Sequence, residues 1–274
     1  MSSPPTGPAA PGCLSSESLA GDMHSLGVQA GWILLVHASM RRIGRICRGA
    51  QGAVTALRDV LGPGGTLVVP TGTADNSDAS RLYQSRIAGM TPTEISRYQS
   101  AMPPFNPVST SSTGMGQIAE YVRKGPGAIR SGHPQSSFAA VGPQAGPLMA
   151  GHAPDCHLGE ASPLGRMYQA GAWILMLGVG YEACSAFHLA EYRYLADPPR
   201  RLYRCVIAEG GQARWWEYQD VVLDDSDFGD LGTALEQTGQ VTQGRVGGAA
   251  CRLVAMTSAV DFAVEWFRQH RAKE

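Results

Sequence analysis

Trp173-Ile174-Leu175-Met176-Leu177-Gly178-Val179-Gly180, followed by Cys184-Ser185-Ala186-Phe187-His188-Leu189-Ala190-Glu191, is the stretch on which the fold reading turns. Five apolar residues closed by glycines read as a buried strand, and the second half reads as a loop turning into a helix. In α/β proteins ligands bind just beyond the carboxyl ends of strands, so this segment is where chemistry is expected. On a helix, His188 and Glu191 stand at i and i+3 and share a face. A carboxylate beside an imidazole fixes its tautomer and raises its basicity, as a general base near neutral pH requires. The spacing equally suits a packed histidine satisfied by a surface glutamate. It also fits a zinc-ligand pair completed by His37, His133 or His157, and Cys184 adds a Cys-His nucleophile as a further reading.

The rest of the chain alternates strand-like and helix-like segments. Ser15–Leu26 reads as a helix capped by Ser15 or Ser16. Trp32–Val36 reads as a buried strand leading into His37-Ala38-Ser39-Met40. A helix from Gly49 to Leu61 is stopped by Gly62-Pro63-Gly64-Gly65, and a second strand, Thr66–Val69, runs into the polar loop Pro70–Asp78. Residues 80–113 look irregular around Met102-Pro103-Pro104-Phe105-Asn106-Pro107. Met115–Lys124 reads as an amphipathic helix, Phe138–Val141 as an apolar segment, and Ser162-Pro163 as a helix start. Residues 200–256 read as β-rich, with a closing helix over Val260–His270. Alternation of this kind predicts an α/β layered domain over residues 15–274, behind a disordered leader over 1–14.

The 274 residues carry a net charge of −1 and no basic run, which speaks against a nucleic-acid partner. Cysteines at 13, 47, 156, 184, 205 and 251 make neither a disulfide framework nor a zinc-finger pattern, and suit a reducing compartment. The N-terminal stretch lacks the features of a signal peptide, and no apolar run approaches the ~20 residues that span a bilayer. A soluble cytoplasmic protein without a membrane partner is expected. Asp75 and Asp78 share a strand-end loop, while Glu217, Asp220, Asp224, Asp225, Asp227 and Asp230 form a dense run whose Asp225–Asp230 part reads as a solvated face. The hydroxyl-rich Ser109–Thr113 before Gly114 and Gly116 could cradle an anion. His133 reads as a turn or ligand-contact residue, and His152 and His157, flanking Asp155, as surface residues.

Seven motifs in order resemble the aminoglycoside 3-N-acetyltransferase family, from about Leu26 to Arg268. They are Val36-His37-Ala38-Ser39-Met40 with Gly44; Gly64-Gly65-Thr66-Leu67-Val68-Val69-Pro70-Thr71; Gly116-Gln117-Ile118-Ala119-Glu120-Tyr121-Val122-Arg123; and Pro126-Gly127-Ala128-Ile129-Arg130-Ser131-Gly132-His133-Pro134. Then follow Gly159-Glu160-Ala161-Ser162-Pro163-Leu164; Leu175-Met176-Leu177-Gly178-Val179 with His188-Leu189-Ala190-Glu191-Tyr192; and Gly244-Arg245-Val246-Gly247. The resemblance implies a three-layer α/β/α sandwich with a mixed central sheet, distinct from the common small acetyltransferase fold. It implies acetyl-CoA as cosubstrate, no metal, and direct transfer to the 3-amino group of a 2-deoxystreptamine ring, with antibiotic resistance as the outcome. By the same likeness His188 is the base and Glu191 its partner, or else a holder of the acceptor's ammonium. Ser39, Met40, Arg41, Ser109, Thr110, Ser131, His133 and Ser136 would line the coenzyme channel. Asp75, Glu120, Glu160, Glu217 and Asp220 would hold the acceptor. The partners implied are an aminoglycoside and, at most, a second copy of the chain as a homodimer. Ser185 stands where the family often has Thr, and Gly72 lacks the bulky side chain often found at its place; an acceptor other than an aminoglycoside is the alternative.

Overall fold

A computed structural model describes residues 12–271. Nine strands run β1 (Ile33–Ala38), β2 (Thr66–Pro70), β3 (Ile129–Arg130), β4 (Phe138–Val141), β5 (Trp173–Leu177), β6 (Arg200–Glu209), β7 (Gln212–Val221), β8 (Thr242–Val246) and β9 (Ala249–Ala255). The helices are α1 (Ser16–Leu26), α2 (Met40–Ile43), α3 (Ala50–Leu61), α4 (Arg81–Ile87), α5 (Pro92–Ser100), α6 (Gly116–Lys124), α7 (Ala145–Met149), α8 (Pro163–Gln169), α9 (Phe187–Glu191), α10 (Phe228–Glu236) and α11 (Met256–His270).

Seven strands form one mixed sheet in the order β3-β4-β2-β1-β5-β9-β8. Only β2, β1 and β5 are mutually parallel, with Leu35 opposite both Val68 and Ile174. Antiparallel strands extend the sheet on both sides. Because side chains alternate along a strand, Leu34, Val36, Leu67, Val69, Leu175 and Leu177 point to one face. There they pack on Leu19 and Met23 of α1, Leu57 of α3 and Ile118 and Val122 of α6. Leu35, Val68, Ile174 and Met176 point to the other face, against Leu164 and Met167 of α8, Phe187 of α9, Leu231 of α10 and Phe267 of α11. Each fully buried side chain of this size stabilises the fold by roughly 1.5–3 kcal/mol, so both helical layers are held by the sheet. The α/β reading and the mixed sheet hold.

The strand β1 is the switch point. Its chain successor β2 lies on one side and β5 on the other, which opens a crevice at their carboxyl ends. Apart from the main sheet, β6 and β7 form a hairpin closed by Gly210-Gly211 between Glu209 and Gln212. Both glycines have positive φ, 59° and 81°, the backbone that a two-residue hairpin turn of matching twist demands.

Three expectations are corrected. Residues 80–113 contain α4 and α5, and α5 starts with a capping box between Thr91 and Glu94 and Pro92 in its first turn. That box stands in the sequence, but α5 buries no residue, so no apolar periodicity accompanied it. The β-rich region is interrupted by α10. Cys13 and Cys47 form a disulfide, where the six cysteines read as no disulfide framework and as suited to a reducing compartment. The two lie 34 residues apart in sequence and are brought side by side by a bridge between Leu14 and Ile46. Cys13 and Leu14 are thus tied to the domain, and residues 1–11 of the expected leader lie outside the described residues. No described helix is long and apolar enough to cross a membrane.

Candidate active site

The crevice at the switch point is a cavity of about 380 Å³. Val36, His37 and Ala38 at the end of β1, Val69, Pro70, Gly72 and Ala74 after β2, and Val179, Glu182, Ala183, Ser185 and His188 after β5 line it. Gly114 and Met115, with Ile118 and Ala119 of α6, and Gln135–Phe138 leading into β4 close it. The wall is mostly apolar, with a few polar groups converging on it, which is the usual make-up of a small-molecule site.

His188 and Glu191 meet as their spacing predicts. His188 Nδ1 lies 2.7 Å from Glu191 Oε2. An ionised carboxylate can only accept, so Nδ1 carries the proton and Nε2 keeps its lone pair. Local sequence explains why the pair is held: Ala186, Phe187, Leu189 and Ala190 are fully buried, and Phe187 stacks on Tyr181 and meets Phe228 edge-on. That pins a five-residue helix too short to be stable alone. Glu191 is buried to 1% exposure, and its other oxygen accepts from Arg271 Nη1 at 2.7 Å and from the Asp224 N–H at 2.9 Å. Arg271 also pairs with Asp227. Both Glu191 oxygens are therefore engaged by the protein, and a guanidinium stands where a second cation would have to sit. Burial pushes the Cys184 thiol up to about 12, which removes its nucleophilic form at neutral pH.

The other expected site residues scatter. Ser136 lines the cavity. Ser39 caps α2 directly after the lining residue Ala38, Met40 is packed on the core, and Arg41 is exposed. Ser109 and Thr110 are folded onto Asn106 in an exposed loop. Ser131 and His133 are fully buried behind the wall rather than on it. None of the expected acids lines the cavity. Asp75 accepts from Thr113 at 2.7 Å and faces Arg86. Glu120 bonds the Ser112 loop and pairs with Arg123 and Lys124, which hold its carboxyl far below the usual range despite partial burial. Glu160 pairs with Arg193, and Glu217 with Arg204. Asp220 is buried, where burial raises its pKa; it accepts from the His157 N–H at 2.7 Å and the Tyr192 hydroxyl at 2.7 Å. Glu182, which the sequence reading passed over, is the one carboxylate among the residues lining the cavity. Its place five residues past the Leu177 strand end was the available signal.

His152 and His157 are buried, not on the surface. With His133 they form a stack, ring centroids 4.8 and 4.7 Å apart, bonded to Ser131, Ser136 and Tyr218. No apolar pattern surrounds them in sequence, so long-range packing alone brings them together. Burial lowers the pKa of His37 from 6.5 to about 4, of His152 to about 4 and of His157 to about 3, and it also holds that of His133 well below its usual value. The unfolded chain, with ordinary histidines near 6.5, binds more protons than the folded one between the two sets of values. Stability is therefore complete above pH 6.5 and is lost as pH falls toward 4. At pH 5 each of His37, His152 and His157 costs about 2 kcal/mol. Thermal unfolding should show a Tm that drops steeply between pH 7 and pH 5; a flat profile would show these imidazoles to be solvated.

The family described as aminoglycoside 3-N-acetyltransferase matches residues 35–268. The SPbeta prophage-derived aminoglycoside N(3')-acetyltransferase-like protein YokD of Bacillus subtilis (strain 168) is 35% identical over 94% of each chain. Aminoglycoside N(3)-acetyltransferase VIII of Streptomyces fradiae is 33% identical over 90% of each chain. Among solved structures, that of AAC-IIIb with CoASH superposes with a TM-score of 0.80 at 31% identity, covering 93% of this chain and 97% of the other. With its match running across the switch point, the cavity and the His188–Glu191 pair, the chain belongs to the aminoglycoside 3-N-acetyltransferase family of acyltransferases.

Proposed function

We propose that the protein transfers the acetyl group of acetyl-CoA to the 3-amino group of the 2-deoxystreptamine ring of an aminoglycoside, and so confers resistance to it. The observation that carries this reading is the His188–Glu191 pair at the wall of a cavity built on the switch point. An ammonium has no lone pair, so the acceptor must be neutral when it attacks. His188 Nε2 takes the amine proton as nitrogen bonds the thioester carbon, and returns it to the thiolate as the carbon–sulfur bond breaks. Glu191, with both oxygens already occupied, orients His188 and offsets the charge of the imidazolium instead of binding substrate.

The apolar wall suits the pantetheine arm of the cosubstrate, and the exposed Arg41, Arg42, Arg45 and Arg48 beyond Ala38 suit its phosphates. A CoASH-bound neighbour supports the same cosubstrate. The cytoplasm, where acetyl-CoA is at hand, is the compartment this reaction requires. The test is the product: reaction with gentamicin or kanamycin, followed by NMR, should give a 3-N-acetyl amide, and acetylation of any other amine would contradict the regiochemistry.

The scarcity of carboxylates at the wall favours one second reading, a natural-product amine with fewer charges as acceptor. Glu182 decides how the charged acceptor is held in either case. Glu182→Gln should raise the KM of a polycationic acceptor about 5- to 30-fold, the worth of one partly exposed charge-assisted bond, and leave the KM of acetyl-CoA unchanged. Equal KM values for the acceptor would place its cationic groups elsewhere.

A further inference from the structure

His37 is a buried imidazole at the carboxyl end of the central strand, and the transfer as derived above does not use it. It is 5% exposed, it lines the cavity, and its Nε2 lies 3.3 Å from Ser185 Oγ, which lines the same cavity. Ser185 and His188 are locked in one turn, because the His188 N–H donates to the Ser185 carbonyl at 3.1 Å. The hydroxyl and the base thus face one space from positions three residues apart on one hydrogen-bonded turn. We propose that Ser185, positioned by His37, is the hydrogen-bond donor to the thioester carbonyl oxygen during acetyl transfer. The inference rests on the acetyl-transfer reading and adds to it the group that receives the negative charge.

The chemistry requires such a donor. When the amine nitrogen bonds the carbonyl carbon, the carbonyl π pair moves onto oxygen, and that charge must meet a fixed proton in a site with little water. When the oxygen pair returns, the carbon–sulfur bond breaks and the thiolate leaves, taking the proton held by His188. Ser185 has a single proton to give. If His37 Nε2 carries a hydrogen and donates to Oγ, that single proton remains free for the substrate oxygen. A neutral imidazole can do this, and burial together with the nearby His188 keeps His37 neutral, its pKa lowered to about 4. The same lowering makes His37 a poor base at neutral pH, so the Ser185–His37 contact is not that of an activated nucleophile.

The test is steady-state kinetics with the full chain, acetyl-CoA and an aminoglycoside on which the wild type is active, with folding checked by Tm. Ser185→Ala should lower kcat about 10²-fold or more with the KM of acetyl-CoA unchanged, the usual effect of losing one oxyanion donor, and Ser185→Thr should restore most of it. His37→Ala should lower kcat alone, yet add little in the Ser185→Ala background, since it acts through that hydroxyl. Undiminished kcat in Ser185→Ala, or a fully additive His37→Ala effect, overturns the proposal while leaving wild-type acetyl transfer intact. A covalent acetyl-Ser185 detected by mass spectrometry without acceptor also overturns it, by making Ser185 a nucleophile. A wild type inactive on every aminoglycoside and on other amines overturns the transfer reading itself.

Discussion

His188→Ala should lower kcat/KM by about two to four powers of ten, the range that general acid–base catalysis supplies. The side chain is part-exposed at the cavity, so its removal leaves the fold in place; Phe187, Leu189 and Ala190 still anchor the segment. What disappears is the Nε2 lone pair that Glu191 holds ready through Nδ1. The loss should fall on kcat more than on either KM, because the imidazole acts on a proton in flight and contributes little to holding either substrate. Raising the pH should recover part of the rate, since a larger fraction of the acceptor amine then arrives already neutral. Wild-type activity in this variant would remove His188 from the reaction and return the pair to a packing role.

Substituting Glu191 should have the next largest effect, and in two separable ways. Glu191→Gln keeps the shape but cannot satisfy Nδ1–H, Arg271 and the Asp224 N–H together, since one end of an amide only donates. It should lower kcat about 10- to 10³-fold, less than loss of the base itself, through a misoriented or wrongly protonated imidazole. Glu191→Ala also removes the buried counter-charge of Arg271. Breaking a buried ion pair costs about 3–5 kcal/mol, and Arg271 keeps Asp227 as a second partner, so about 2–3 kcal/mol is expected here. A urea titration reads that loss. An Ala variant as stable as the wild type would mean that Arg271 draws nothing from Glu191. A Gln variant with an unchanged kcat but a raised acceptor KM would make Glu191 a substrate contact.

The sheet was legible because its three parallel strands are short apolar runs leading into polar loops, with Pro70 closing β2 and Gly178 following β5. Those loops line the cavity. The His188–Glu191 pair was legible for a local reason, helical spacing, and needed no tertiary information. The pairing of Arg271 with Glu191 was not, since the partners lie 80 residues apart and the arginine sits at the end of a different helix. The acids failed for a related reason: Glu120, Glu160 and Glu217 each found a basic partner nearby, and Asp220 is used inside the histidine stack. Sequence shows where a carboxylate stands but not which cation claims it. His152 and His157 were misplaced because polar residues between prolines and glycines look exposed, while here His157 is folded against Tyr203 and Tyr218 of the β6–β7 hairpin and His152 against His133. Glu182 went unnoticed beside its more suggestive neighbours Cys184 and His188.

The most direct test of the whole account is a continuous thiol-release assay with acetyl-CoA and an aminoglycoside, run on the wild type and His188→Ala side by side. Acceptor-dependent release of free coenzyme thiol is expected from the wild type, with a rate lower by at least about two powers of ten in the variant. Release by the wild type that is independent of acceptor, or equal rates in the two proteins, would contradict it.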